Sequence, residues 1–164
     1  PARFQLVAAM NPCPCGYSGD GSARCKCSPD MISRYRGRLS GPLLDRIDLH
    51  VEVPALPASD LHSSQPSEDS ATVRARVITA RRRQLERQGF ANQALTPQKL
   101  DQHAILGTSE QQLMQMAQQR LALSARAYHR VLRVARTIAD LAGDTQIQVP
   151  HLTEALGYRG FQTQ

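Results

Sequence analysis

Hydrophobic and polar positions alternate with three different rhythms along this chain. Phe4 to Met10 is a nearly continuous apolar run that stops at Asn11-Pro12. Its length and abrupt end predict a buried strand of a parallel sheet. A Cys-, Gly- and Pro-rich loop follows. Ser28-Pro29-Asp30 then opens a short helix over Met31 to Arg38, with Ser28 or Asp30 as the cap. From Ile47 to Val53 apolar and polar residues alternate strictly, which predicts a strand with one covered face, closed by Pro54. Beyond about Ala71 the rhythm becomes helical. Val73, Val77, Ile78 and Leu85 lie at helical spacing through Gln88, and Gly89 supplies a stop. Thr96 caps a short helix starting at Pro97. Ser109 is the expected cap of a helix over Glu110 to Leu121, with Leu113, Met114, Ala117 and Leu121 on one side. Ser124 caps a long helix whose stripe is Ala127, Val131, Val134, Ala135, Ile138 and Leu141, ended by Gly143. A last helix starts near Pro150 and carries Leu152, Ala155 and Leu156. There is no internal repeat.

These elements divide the chain into three. Residues 1–54 read as the tail of an α/β domain with a Cys-rich loop. Residues 55–70 are rich in Pro, Ser and Asp without periodicity and read as an exposed linker, with 59–70 expected to be disordered. Residues 71–164 read as a small helical bundle. The expected class is mainly α. Composition supports helix packing: hydrophobic residues make up 41% of 164, aromatics only 4%, and Trp is absent. No run approaches the roughly 18 apolar residues of a membrane span, and no signal peptide is visible. The chain begins without Met, at what reads as the edge of a strand, which suggests a piece of something longer. The formal charge of +6 is carried mostly by Arg and suits contact with phosphate, although a solvated basic surface gives the same number.

Four features carry candidate chemistry. The four cysteines all lie between Cys13 and Cys27, as Cys13-x-Cys15 and Cys25-x-Cys27. Four thiolates in two pairs can close a tetrahedral Zn2+ site, and a reduced cluster or disulfides are the alternatives. A local cluster of this kind suits a metal loop in a reducing compartment, the cytoplasm. Asn11 ends the first expected strand, where ligands of parallel sheets sit, but an Asn before Pro is also an ordinary turn residue. Arg46 stands just before the alternating strand and can reach a neighbouring subunit's phosphoryl group, or simply pair with Asp45 or Asp48. Arg126 lies in the first turn of the long helix, with Arg130 and Arg133 on the same face. A cation there opposes the helix dipole, which is easier to understand if an anion binds nearby. Two further sets lack a sharp reading. Arg74, Arg76, Arg81, Arg82, Arg83 and Arg87 wrap their helix and read as a solvated face, with contact to a phosphate backbone or to another subunit as the alternatives. The five His are scattered and read as structural.

Three stretches together, Leu6 to Gly16 (LVAAMNPCPCG), Gly41 to Leu49 (GPLLDRIDL) and Leu123 to Leu141 (LSARAYHRVLRVARTIADL), resemble the Mg-chelatase-like AAA+ proteins of the ComM/YifB type. The resemblance covers nearly the whole chain, in order. It implies the C-terminal end of an AAA+ α/β core, with one or two strands and the Cys-rich loop, followed by a linker and a helical lid bundle. It implies sensor 1 at Asn11, an arginine finger at Arg46 and sensor 2 at Arg126, converging on the γ-phosphate of ATP bound with Mg2+ between subunits. Gly-x-x-x-x-Gly-Lys-Ser/Thr and a Walker B strand are absent from this sequence, so it is not expected to hydrolyse ATP by itself. For the complete protein the resemblance implies a hexameric ring that migrates DNA branches using ATP, with no membrane partner. A metal-chelatase or protein-remodelling motor is the alternative, and a zinc-bearing interaction module is a third.

Overall fold

The computed structural model describes residues 4–54 and 68–159. The linker therefore lies almost wholly outside the described residues. Among the described residues helices dominate: α1 (Pro29–Arg36), α2 (Gly41–Leu44), α3 (Ser70–Gln88), a 3-10 turn (Asn92–Ala94), α4 (Pro97–His103), α5 (Thr108–Arg120), α6 (Ala125–Ala142) and α7 (Val149–Gly157).

Each boundary has a local chemical cause. Ser28, Ser40, Asp69, Thr96 and Ser124 each accept a hydrogen bond from a backbone N–H in the first turn of the helix that follows. At the other end α6 stops at Gly143, whose φ of 93° is open to glycine and costly for other residues. The cap expected at Ser109 is not used. Instead, α5 begins at Thr108 after Gly107, with no side-chain cap.

The core is built around α6. Val131, Leu132 and Ala135 pack with Leu95, Leu100, Ala104, Met114, Ile147, Leu152 and Ala155. A second small cluster, Ala117, Leu123 and Ala127, extends it towards the α5–α6 turn. Both draw on residues that the helical spacing of α5, α6 and α7 places on one side. Burying Leu152 completely contributes about 1.5–3 kcal/mol.

Two expectations fail, for the same reason. Neither 4–10 nor 47–53 forms a strand: among the described residues no β-ladder occurs. A strand exists only beside another strand that takes its N–H and C=O groups, and among the described residues neither segment has one; 47–53 makes isolated bonds with Tyr158 and Arg159 instead. Phe4, Leu6, Val7, Val51 and Val53 accordingly stand exposed. On α3 the apolar spacing is real, but its residues do not build the core. Val73, Val77, Ile78 and Leu85 are exposed, while Ala80 and Gln84 are the buried positions.

Candidate functional site

The Cys-rich loop folds into a compact knuckle. Turns at Cys13–Gly16 and at Gly19 and Gly21, all three glycines at positive φ, bring the sulfurs together. The Sγ separations are 3.3 Å for Cys13–Cys15, 3.7 Å for Cys15–Cys25 and 3.8 Å for Cys13–Cys25. All four sulfurs, Cys27 included, lie within 4.8 Å of one another. Tetrahedral Zn–S bonds of about 2.3 Å put sulfurs about 3.8 Å apart, so the donor set fits that ion. The four cysteines are free thiols, which sets aside the disulfide alternative in this structure.

Electrostatics shows why a cation suits the knuckle. Burial pushes the Cys13 thiol up, but hydrogen bonds from the Cys15 side chain and from the Ser18 and Cys15 backbone N–H groups outweigh it, and it is lowered to about 6. Cys15 is lowered as well, chiefly by the Tyr17 N–H. The Cys15 backbone N–H pulls Cys27 down. The Cys15 and Cys13 sulfurs and the loss of water outweigh that, and Cys27 is raised to about 12. Like charges this close cannot all form unaided, whereas a divalent cation stabilises every thiolate at once. Beside the knuckle, Arg24 lies 4.4 Å over the Tyr17 ring and pairs with Asp20.

Asn11 is exposed at the entrance to the knuckle, its amide against Gly16. Arg46 lies just past α2, after the C-cap residue Asp45. Its side chain is exposed and its Nη1 donates to the Pro42 carbonyl at 2.7 Å. The carboxylates on either side of it are engaged elsewhere. Arg159 donates from Nη1 to the Ile47 carbonyl at 2.8 Å and from Nη2 to Asp45 Oδ1 at 3.3 Å. Arg130 on α6 pairs with Asp48. The His50 N–H donates to the Tyr158 carbonyl at 2.9 Å. Residues 45–50 are thus fastened to α6 and to the end of α7. Burial holds the His50 imidazole below its usual value, and the Arg159 charge adds to the shift.

Arg126 projects into solvent from the first turn of α6. Arg130 and Arg133, on the same face, are used internally, Arg133 donating to the Leu95 carbonyl at 2.9 Å. Among the described residues no hydrogen bond joins Asn11, Arg46 and Arg126 to one another.

Two arginine roles escape the sequence reading. Arg83 and Arg87 do more than face solvent: Arg83, although exposed, donates to the Asp140 carbonyl at 2.6 Å, and the half-buried Arg87 grips the Asp140 carboxylate at 2.5 and 3.0 Å. Arg159, only 3% exposed, reaches partners 112 and 114 residues away, so no local pattern announces it.

Among the described residues no helix is long and apolar enough to cross a membrane. Comparison with known proteins gives a consistent answer. The family model of the magnesium chelatase subunit ChlI matches residues 1–61, and that of the ChlI C-terminal part matches 67–159. Competence protein ComM of Haemophilus influenzae is 50% identical over 161 residues, which is 97% of this chain and 31% of that protein. The uncharacterized protein YifB of Salmonella typhimurium is 45% identical over 162 residues, with the same coverage of both chains. An uncharacterized protein of Mycobacterium tuberculosis is 40% identical over 163 residues, 97% of this chain and 32% of that protein. The chain thus spans about a third of the length of the curated relatives it matches. Matched from one half to the other, it belongs to the magnesium chelatase ChlI family, among proteins of the ComM and YifB type.

Proposed function

We propose that this chain is the nucleotide-sensing and lid portion of a ring-forming AAA+ ATPase that drives DNA branch migration. One observation carries the reading. Arg46 is exposed on a segment whose own carboxylates, Asp45 and Asp48, are occupied by Arg159 and Arg130. Its charge is therefore available to an anion from outside the chain.

In this reading residues 1–54 complete an α/β core, 55–70 link, and 71–164 form the lid. The exposed apolar run 4–10 pairs with strands contributed from elsewhere in the complete polypeptide. Arg46 is the arginine finger offered across a subunit boundary, Asn11 orients the attacking water as sensor 1, and Arg126 is sensor 2. ATP with Mg2+, when bound, supplies the phosphoryl group. The phosphate cradle is not in this sequence, so turnover requires a P-loop elsewhere in the polypeptide and assembly into a hexamer in the cytoplasm. DNA is held through its phosphates, with little reading of sequence. Cys13, Cys15, Cys25 and Cys27 hold one Zn2+ in a structural role, because four sulfurs leave no open position.

The test uses the complete polypeptide carrying a P-loop. Arg46→Ala is expected to lower ATP turnover by about a thousandfold. Wild-type turnover in that variant removes the finger assignment and leaves the zinc-bearing interaction module as the better account. The family's name favours a second reading, a metal-chelatase or protein-remodelling motor. Salt-dependent binding of branched DNA by the complete polypeptide supports the first reading. Its absence, with ATP turnover intact, supports the second.

A further inference from the structure

We infer that Arg159 and Arg130 are positioning residues that bind the segment carrying Arg46 to the lid, so that Arg46 moves with α6 and α7 and not with the cysteine knuckle. The inference rests on the reading of Arg46 as the finger, but its geometry stands separately.

Three links converge on six residues. The Arg159 guanidinium spans Asp45 and the Ile47 carbonyl, on both sides of Arg46 in sequence. Arg130 takes Asp48, and His50 is tied through its N–H to Tyr158. Arg159 is 3% exposed, so its pair with Asp45 is poorly screened and a partner lost there leaves a buried charge. A bidentate fork fixes orientation as well as distance, which a lysine ammonium does not. On the other side of Arg46 the hold is slight. Among residues 4–54 the only buried apolar side chain is Cys13, which belongs to the knuckle. The links from 45–50 to the lid are thus stronger than any packing from 45–50 back to the knuckle. Charge matching points the same way. Asp45 and Asp48 meet lid arginines, while Arg46 between them keeps its guanidinium at the surface. A rotation of the lid then becomes a displacement of Arg46, and a displacement near 1 Å at a reacting centre costs about a hundredfold in rate.

Two measurements test this. The first is amide hydrogen exchange on the chain itself, comparing wild type with Arg159→Lys and Asp45→Asn. Faster exchange across 45–50, with α6 unchanged, supports the inference. Unchanged exchange across 45–50 in both variants overturns it. The second is steady-state ATP turnover of the complete polypeptide in a double-mutant cycle. Arg159→Lys is expected to lower kcat by about a hundredfold, with KM for ATP within about twofold and unfolding temperature preserved. The double variant Arg46→Ala/Arg159→Lys should turn over no more slowly than Arg46→Ala. A multiplied loss in the double variant overturns the coupling, because it means Arg159 acts other than through Arg46. Full turnover in Arg46→Ala sinks the finger reading alone, and hydrogen exchange still decides whether 45–50 travels with the lid.

Discussion

Replacing Asp140 by alanine is the sharpest test of how the helical half is held together. Asp140 is 1% exposed and accepts from Arg87 at 2.5 and 3.0 Å, from Arg136 Nη2 at 3.0 Å and from Asn92 Nδ2 at 2.8 Å. Arg136 is itself 1% exposed and also donates to the Thr145 and Asp144 carbonyls. Two guanidinium groups thus share a single buried carboxylate, and α3 is joined to α6 through it. Removing the carboxylate leaves Arg136 buried beside the Arg87 charge, with the Thr145 and Asp144 carbonyls as its hydrogen-bond acceptors and only the more distant Asp144 carboxylate to offset it. Breaking a buried pair in this way costs about 3–5 kcal/mol. For a helical unit of this size that corresponds to a fall of roughly 4–8 °C in Tm per kcal/mol. Urea unfolding followed by helical circular dichroism gives the free energy, and an unchanged m-value shows that the two-state comparison holds. A second variant separates charge from volume. Arg136→Met together with Asp140→Leu removes the fully buried ion pair, leaving Arg87, which reaches solvent, and should be less destabilised than Asp140→Ala alone. A loss below about 1 kcal/mol in Asp140→Ala, the scale of an exposed pair, would refute the idea that α3 is docked by this network.

Three further outcomes follow from the same structure. Gly143→Ala should cost about 1–2 kcal/mol by thermal melting, because a Cβ at φ 93° is strained and would lie 3.2 Å from the Arg83 guanidinium that reaches Asp140. Acidification should loosen the 45–50 segment. His50 has a lowered folded pKa, so its stabilising contribution is present above the unfolded value of 6.5 and declines as pH falls below it; protection of the residue-50 amide, taken relative to its intrinsic exchange rate at each pH and constant in His50→Gln, checks the sign. Elemental analysis should find one zinc per chain, and Cys13→Ser should release it more readily to a chelator while leaving the unfolding of α6 unaltered. Metal-free protein with an intact knuckle would remove the zinc assignment.

The caps at Ser28, Thr96 and Ser124 and the stop at Gly143 were legible because each acts within one helical turn. The stripe from Ala127 to Ile138 was legible because period 3.6 is itself the record of a buried face, but its last expected member, Leu141, stands exposed. The cysteine pairs were legible because the chain between them is short, and two neighbouring Cys-x-Cys turns have few ways to be apart. The polar docking of α3 was not legible. Val73, Val77, Ile78 and Leu85 have the right spacing for a core face, yet Gln84, Arg83 and Arg87 make the contacts.

Sequence alone therefore determined the capped starts at Ser28, Thr96 and Ser124 and the stop at Gly143, which side of α6 is buried, and that the four cysteines form one local cluster, since each of these depends on residues within a turn or a loop of one another; it missed α2 and placed the start of α5 at the wrong residue. Only the tertiary structure decided that Arg159 meets Asp45, that Arg87 meets Asp140, and that among the described residues the apolar run 4–10 and the alternating segment 47–53 have no strand partner. An ion pair or a ladder is a meeting of distant segments, and a charged or extended residue looks the same in sequence whether its partner arrives or not.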